Sequence, residues 1–181
     1  MQYKISGDHG IRPLNKASTR IAVASSTLLL MSFTSIFILT ILDIIEVLKP
    51  LMEYNQALAS VGTVISLAGI ALTVISQYQM GVAWRIGVDE SEKTELVTKG
   101  IYSLIRNPIY TGVYLFGIGL LLLLPNIYML VSLAIGYLSI EIHVRYVEEP
   151  HLLRLHGEAF KKYVNKSGRY LPRFNCGSYK P

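Results

Sequence analysis

The sequence predicts an all-α integral membrane protein of about four transmembrane helices, including a C-terminal helical hairpin, with an amphipathic helix and a terminal segment covering one end. Two observations predict it. Apolar residues gather in four long blocks instead of recurring at the spacing of a soluble core. Lysine and arginine concentrate in alternate connecting segments, as they do in multi-pass membrane proteins. Composition agrees, with 51% hydrophobic and 16% charged residues and a mean hydropathy of +0.41.

The first block, residues 21–42, contains no charge and is about 22 residues long, against the roughly 20 that a spanning helix needs. Lys4, Arg12, Lys16 and Arg20 precede it, as in a signal peptide. The block is too long for a signal core, however, and ends in Asp43, Ile44, Ile45 and Glu46 where a cleavage site would need small residues. It is read as a retained first span. The second block, 57–76, carries Gly62, Ser66 and Gly69 at spacings of four and three, which lets a neighbouring helix approach closely. Two shorter runs, 109–124 and 127–140, are separated only by Pro125-Asn126 and read as a tight hairpin. Its second helix gains length by continuing through Glu141, His143 and Arg145. From 149 to 166, Leu152, Leu153, Leu155, Phe160, Tyr163 and Val164 alternate with Arg154, Glu158, Lys161 and Lys162 at largely helical spacing. That is an amphipathic surface helix, which Gly168 ends and Pro172 keeps from resuming.

Charge sets an expected topology. The segments 1–20, 77–107 (with Arg85, Lys93, Lys99 and Arg106) and the C-terminal stretch are basic, whereas 43–55 has Lys49 against Asp43, Glu46 and Glu53. Both termini and the 77–107 loop are therefore expected on the cytoplasmic side, in a prokaryote the cytoplasmic face of the inner membrane. Two regions follow: 1–76 with two spans, and 77–181 with the loop, the 108–147 hairpin and the amphipathic segment. The net charge of +5 is accounted for by this topology, and no nucleic-acid partner is expected. Cys176 is the only cysteine, so neither an internal disulfide nor a cysteine-histidine zinc site is predicted.

Two constellations could carry chemistry. Asn107-Pro108 opens the third block with a favoured N-cap and a favoured first helical residue. Free N–H groups beside Arg106 would then suit an anionic ligand group. The second is Glu141, Arg145, Glu148 and Glu149, in which 141, 145 and 149 share a helical stripe. Ionisable groups at the end of a span pair with each other or face a wet cavity. With only one of Glu148 and Glu149 comfortably paired to Arg145 or Arg154, a carboxylate remains for a cation or for proton transfer. Gly117-Ile118-Gly119 lies inside an apolar helix with no preceding strand and no third glycine, so it is read as helix packing and not as a dinucleotide loop. No phosphate-binding loop or zinc-protease motif occurs. These residues give a polar site at one membrane face without naming a reaction.

Three segments resemble the isoprenylcysteine carboxyl methyltransferase and phospholipid N-methyltransferase superfamily. Leu104-Ile105-Arg106-Asn107-Pro108-Ile109-Tyr110-Thr111-Gly112 is similar to its Arg-His-Pro-x-Tyr-x-Gly signature. Residues 148–163, opening with Glu148-Glu149 and closing with Tyr163, resemble its Glu-Glu-x-x-Leu…Phe-Gly-x-x-Tyr block, and Arg169-Tyr170-Leu171-Pro172-Arg173 matches its close. They lie in order over roughly 80–173. The resemblance implies S-adenosyl-L-methionine as methyl donor and a lipid or other lipophilic acceptor entering from the bilayer. It also implies donor contacts from Arg106, Asn107, Pro108, Tyr110, the Gly117/Gly119 helix, Glu148 and Glu149, with His156, Tyr163 and Pro172 shaping a lid. Arg106, Glu148 and Glu149 are the expected catalytic set, with no metal. Asn107 departs from the signature histidine, and His156 stands where the family often has an aromatic residue. The 84–90 segment, beginning at Trp84, is either an acceptor-facing loop or an interfacial anchor. A reductase or a non-catalytic subunit on a related scaffold is the alternative. The acceptor group (carboxylate, amine or thiol) and the oligomeric state stay open.

Overall fold

The computed structural model describes residues 20–81 and 95–173. Lys4, Arg12, Lys16, Arg85, Lys93, the 84–90 segment and Cys176 lie outside them. The described residues are helical: α1 (Arg20–Ile44), α2 (Gln56–Met80), a 3-10 turn (Gly100–Ser103), α3 (Pro108–Leu123), α4 (Ile127–His143), α5 (Glu149–His156) and α6 (Glu158–Lys166). A π-helical stretch, Val144–Glu148, joins α4 to α5, making one continuous 30-residue helix. This helix, α1 and α2 are long and apolar enough to cross a membrane, and α3 is a shorter apolar helix.

The bundle is built from two antiparallel pairs. In α2 and α3 the contact runs through small residues. A Cβ on Gly62 would lie 2.7 Å from the Gly119 carbonyl oxygen, and one on Gly69 2.5 Å from that of Gly112. The backbones therefore touch, and van der Waals packing at that range is the reward that membrane helices have for associating. The α1–α4 pair is joined by hydroxyls. Ser32 Oγ donates to the Ser132 carbonyl (2.7 Å) and Ser35 Oγ to Ser132 Oγ (3.0 Å), with Gly136 giving Ser32 its room.

At the end of the bundle where α1 finishes, Asn126 holds the hairpin turn. It is fully buried. Its Oδ1 accepts from Met129 N (2.8 Å) as the N-cap of α4, while Nδ2 donates to Asp43 Oδ1 (2.9 Å) at the end of α1. Asn126→Ala removes the cap and the tie together, and should lower stability by about 1–2 kcal/mol, read as a lower melting temperature in detergent.

The amphipathic stretch forms two helices where one was expected. Gly157 takes φ 51°, a conformation that favours glycine, and the chain turns there between α5 and α6. That turn brings Phe160, Tyr163 and Val164 into a small core with Leu96 and Leu152.

Candidate active site

The opposite end of the bundle gathers the start of α1, the end of α2, the start of α3 and the end of α4. The chain after α6 ties them together. Gly168 N donates to the Leu104 carbonyl (2.9 Å), and Arg106 N donates to that of Gly168 (2.8 Å), forming a short parallel bridge. Asn107 gives both its backbone N (3.1 Å) and its Nδ2 (3.2 Å) to the Arg169 carbonyl. Thr111 Oγ1 donates to that of Tyr170 (2.8 Å). Segment 168–170 is thus strapped across the start of α3. Asn107 was expected to cap α3 with its side chain. It makes no such bond; its side chain is turned to the strap, where Nδ2 donates to the Arg169 carbonyl, and only Pro108 fulfils its expected place at the helix start.

The strap carries a guanidinium into the carboxylates. Arg169 Nη1 donates to Glu141 Oε1 (2.7 Å), Nη2 to Glu149 Oε2 (2.7 Å) and Nε to Glu149 Oε1 (3.0 Å). Arg106 Nη2 donates to the same Glu149 Oε1 (3.2 Å), and its Nη1 to the Ser167 carbonyl (2.5 Å). Tyr170 Oη donates to Glu141 Oε2 (3.0 Å). Burial alone would lower the Arg169 pKa, but the bonds to Glu149 and the charges of Glu149 and Glu141 hold it above the usual value. The Tyr170 hydroxyl is pushed up by burial and then by Glu141, so it stays a neutral donor.

Arg145, expected to pair within the stripe, takes no part. Among the described residues it makes no ion pair and lies 6.0 Å from the Tyr146 ring centroid. The π-helical stretch is the physical reason. Pro150 has no N–H and its ring crowds the carbonyl four residues back, and the helix ahead of it widens so that Glu149 N reaches the Val144 carbonyl. The wider turn swings Arg145 outward and Glu148 and Glu149 inward, which breaks the i, i+4 alignment assumed for an unbroken α-helix.

Glu148 is held differently from its neighbours. Its Oε1 accepts from Tyr110 Oη (2.6 Å) and lies 3.6 Å from His143 Nε2. Its Oε2 takes no hydrogen bond, and no arginine reaches it, among the described residues. Among the described residues, three buried side-chain polar atoms also lack partners: Arg106 Nε, His156 Nε2 and Tyr114 Oη. Tyr163 sits beneath the cluster and donates to the Tyr102 carbonyl (2.7 Å), while Tyr102 donates to that of Ser76 (3.2 Å). Burial pushes the Tyr163 hydroxyl up to about 12, so it too remains protonated.

The family model described as phospholipid methyltransferase matches residues 58–159, more than half of the chain. The chain belongs to the phospholipid methyltransferase family. It is an S-adenosylmethionine-dependent methyltransferase, which selects methyl transfer from the readings that the residues left open. No curated protein matches the chain closely enough to count as a relative.

In this methyltransferase, Arg106, Asn107, Tyr110, Glu148 and Glu149 converge through the bonds above. Pro108 is buried at the same helix start, and Pro172 follows the strap. Gly117 and Gly119 stand apart. At 1.5 Å per residue they are roughly 10–14 Å along α3 from Tyr110. Gly119 faces Gly62 and Ser66 on α2, and Gly117 faces Leu133 on α4, so both serve helix contacts. The group fits the polar demands of S-adenosylmethionine. That donor has a carboxylate, which an unpartnered guanidinium N–H can take, and cationic groups, which a carboxylate oxygen without a partner can face.

Sequence reading did not pick out Arg169 and Tyr170 as site residues. Arg169 was visible in the terminal motif, but three carboxylates over 141–149 needed more cation than Arg106 supplied, and that imbalance was the available signal.

Proposed function

We propose that this methyltransferase acts on an acceptor carried by a lipid or lipophilic molecule within the bilayer. In this reading Glu148 faces the positive end of the donor, Arg106 holds the donor's carboxylate, and Glu149 fixes Arg106. One observation carries the reading: Arg169 and Arg106 engage Glu141 and Glu149, and neither engages Glu148. An unneutralised carboxylate at the end of a membrane span is costly unless a cation meets it, and the donor brings one.

When bound, S-adenosylmethionine supplies a methyl group made electrophilic by its sulfonium. The protein's task is alignment and exclusion of water more than proton transfer. Tyr110 orients Glu148 through its 2.6 Å bond. The strap with Tyr163, His156 and Pro172 forms the lid, where His156 Nε2 has a hydrogen-bonding position to spare. Tyr114 lies between α3, α4 and the strap, with ring centroids 5.2 Å from Tyr137 and 6.3 Å from Tyr170. Its unpartnered hydroxyl is where the polar end of an acceptor arriving from the bilayer would meet the donor. Four crossings are proposed, α3 included, with the site and both termini on the cytoplasmic side. Residues 77–181 form the methyltransferase core, and 1–76 supply the helices it packs against.

Calorimetry of donor binding tests this. Glu148→Gln and Arg106→Ala should each weaken it about 10–100-fold, the range of one charge-assisted interaction of roughly 1.5–3 kcal/mol. Wild-type affinity in both variants would refute the assignment. Incubation with labelled donor and membrane lipids, followed by identification of the labelled product, would give the acceptor class.

A further inference from the structure

His143 is a titratable side chain only 6% exposed, near the end of a span, and the reading above gives it no task. Its Nδ1 lies 2.9 Å from Ser25 Oγ on α1, and its Nε2 lies 3.6 Å from Glu148 Oε1. Ser25 Oγ also sits 2.7 Å from the Ile21 carbonyl oxygen and 3.2 Å from that of Ala22. A serine has one hydrogen to donate. With that hydrogen on a carbonyl, Ser25 accepts from the ring, so the neutral tautomer carries its proton on Nδ1. Nε2 then presents a lone pair to a carboxylate oxygen. In that arrangement two acceptors face each other, and they are relieved when a proton reaches Nε2 or another cation meets Glu148. The alternative is a turn of the Ser25 hydroxyl to Nδ1, which leaves the ring neutral with its proton on Nε2.

We propose that His143 is the proton-linked counter-charge of Glu148, a positioning residue that stays neutral while the donor's sulfonium faces that carboxylate and takes a proton on Nε2 when the sulfonium is gone. This rests on the reading that Glu148 faces the sulfonium. The charge balance is simple. In methyl transfer a lone pair of the acceptor forms a bond to the methyl carbon as the carbon–sulfur bond breaks, the breaking bond's electron pair stays on sulfur, and the sulfonium becomes a neutral thioether. Glu148 thereby loses its counter-charge, and one proton from solvent on His143 restores it. Low pH then favours product over donor, because donor binding must expel the proton and product binding need not.

The other groups facing this pair are paired, turned away or distant. On α3 Tyr110 reaches it through Glu148. On α1 Ser25 is not ionisable, and Arg20 lies about 7–8 Å further along the axis. On its own helix, Arg145 is turned outward, Glu141 is paired to Arg169, and Glu149 is paired to Arg169 and Arg106. Histidine is the side chain whose charge ordinarily changes between pH 5 and 8. Ser25 lies outside the 58–159 family match, so the first span would tune a site built from the matched region.

The experiment is calorimetric titration of the full chain in detergent with S-adenosylmethionine and with S-adenosylhomocysteine, from pH 5.5 to 7.5, in buffers of different ionisation enthalpy. In the wild type, the donor-over-product preference should rise about tenfold from pH 5.5 to pH 7.5, within the limit of tenfold per pH unit for one proton. Donor binding near pH 6 should release a fraction of a proton, and product binding should not. His143→Asn, whose amide nitrogen reaches the Nδ1 position and keeps Ser25, should flatten the profile while binding product as before. Equal pH slopes for donor and product in the wild type would overturn the proposal without any variant, and so would a wild-type slope in His143→Asn. Glu148→Gln separates the two failures. If it binds donor like the wild type, the Glu148 reading falls and takes this inference with it; if it weakens donor binding while His143→Asn keeps the slope, only the His143 role falls.

Discussion

Arg169→Ala should remove most methyl transfer and lower stability by about 2–3 kcal/mol. Removing one partner of a buried ion pair costs roughly 3–5 kcal/mol, because the other charge is stranded. Arg169 and the carboxylates it meets are 16–26% exposed at their side chains, so water screens part of that and the lower figure applies. Arg169→Ala leaves Glu141 with the Tyr170 hydroxyl and Glu149 with Arg106 alone, so only one of the three carboxylates keeps a guanidinium. The strap loses its grip on the π-helical stretch, and Glu149 pulls Arg106 away from the position assigned to the donor carboxylate. Arg169→Lys should recover little, since a point charge cannot serve both carboxylates in the forked geometry seen here. Single-turnover methyl transfer and thermal unfolding in detergent check both claims. Near wild-type activity in Arg169→Lys would show that charge alone suffices.

Gly69→Val should separate α2 from α3 and cost about 3 kcal/mol. Two effects compete. Replacing a glycine within a helix gains up to ~1 kcal/mol from reduced backbone entropy in the unfolded chain. Against that, a Cβ at residue 69 would sit 2.5 Å from both the Gly112 carbonyl oxygen and Phe116 N, and backbone cannot rotate aside as a side chain can. Overpacking of this kind costs 1–3 kcal/mol or more, and valine adds two methyl groups, so the clash prevails. Gly136→Ala is the informative contrast. There a Cβ meets only the Ser32 side chain, its hydroxyl at 2.6 Å and its Cβ at 3.5 Å, and the hydroxyl can turn away at the expense of its bond to Ser132. Its melting temperature should fall by less than half as much as that of Gly69→Val. Equal effects would mean that the backbone contact is not what holds the α2–α3 pair.

Much of this architecture is legible in the residues. The uncharged blocks gave the helices to within a few positions, because hydrocarbon enforces helix wherever the chain is apolar and long enough. Gly62, Ser66 and Gly69 announced a close helix contact, and Gly119 supplies the other side of it. The convergence of Arg106, Tyr110, Glu148 and Glu149 was legible through motifs, which carry spacing that composition does not. The pairing inside the cluster was not. Assigning Arg145 to the carboxylates assumed an unbroken α-helix, and Pro150 changes the local pitch by an amount that no periodicity count registers. Assigning Asn107 as a cap was sound on local grounds, but the side chain goes to a carbonyl 62 positions away in the chain. His143 with Ser25 and Tyr163 with Tyr102 are tertiary pairs of the same kind, set by how helices stack and not by any local pattern.

The strap has a consequence for how the protein is made. Synthesis runs from the first residue to the last, so α1 to α4 are made before residues 168–170. Throughout that interval Glu141 and Glu149 lack the guanidinium that joins them, and only contacts such as Arg106 to Glu149 and Tyr110 to Glu148 cross from the start of α3 to the end of the long helix. The arrival of residues 168–170 then supplies Arg169 and the backbone bridge together. A nascent chain can hold its full complement of membrane helices and still lack the ionic cluster, so insertion into the bilayer and completion of that cluster are separate events in the birth of this protein.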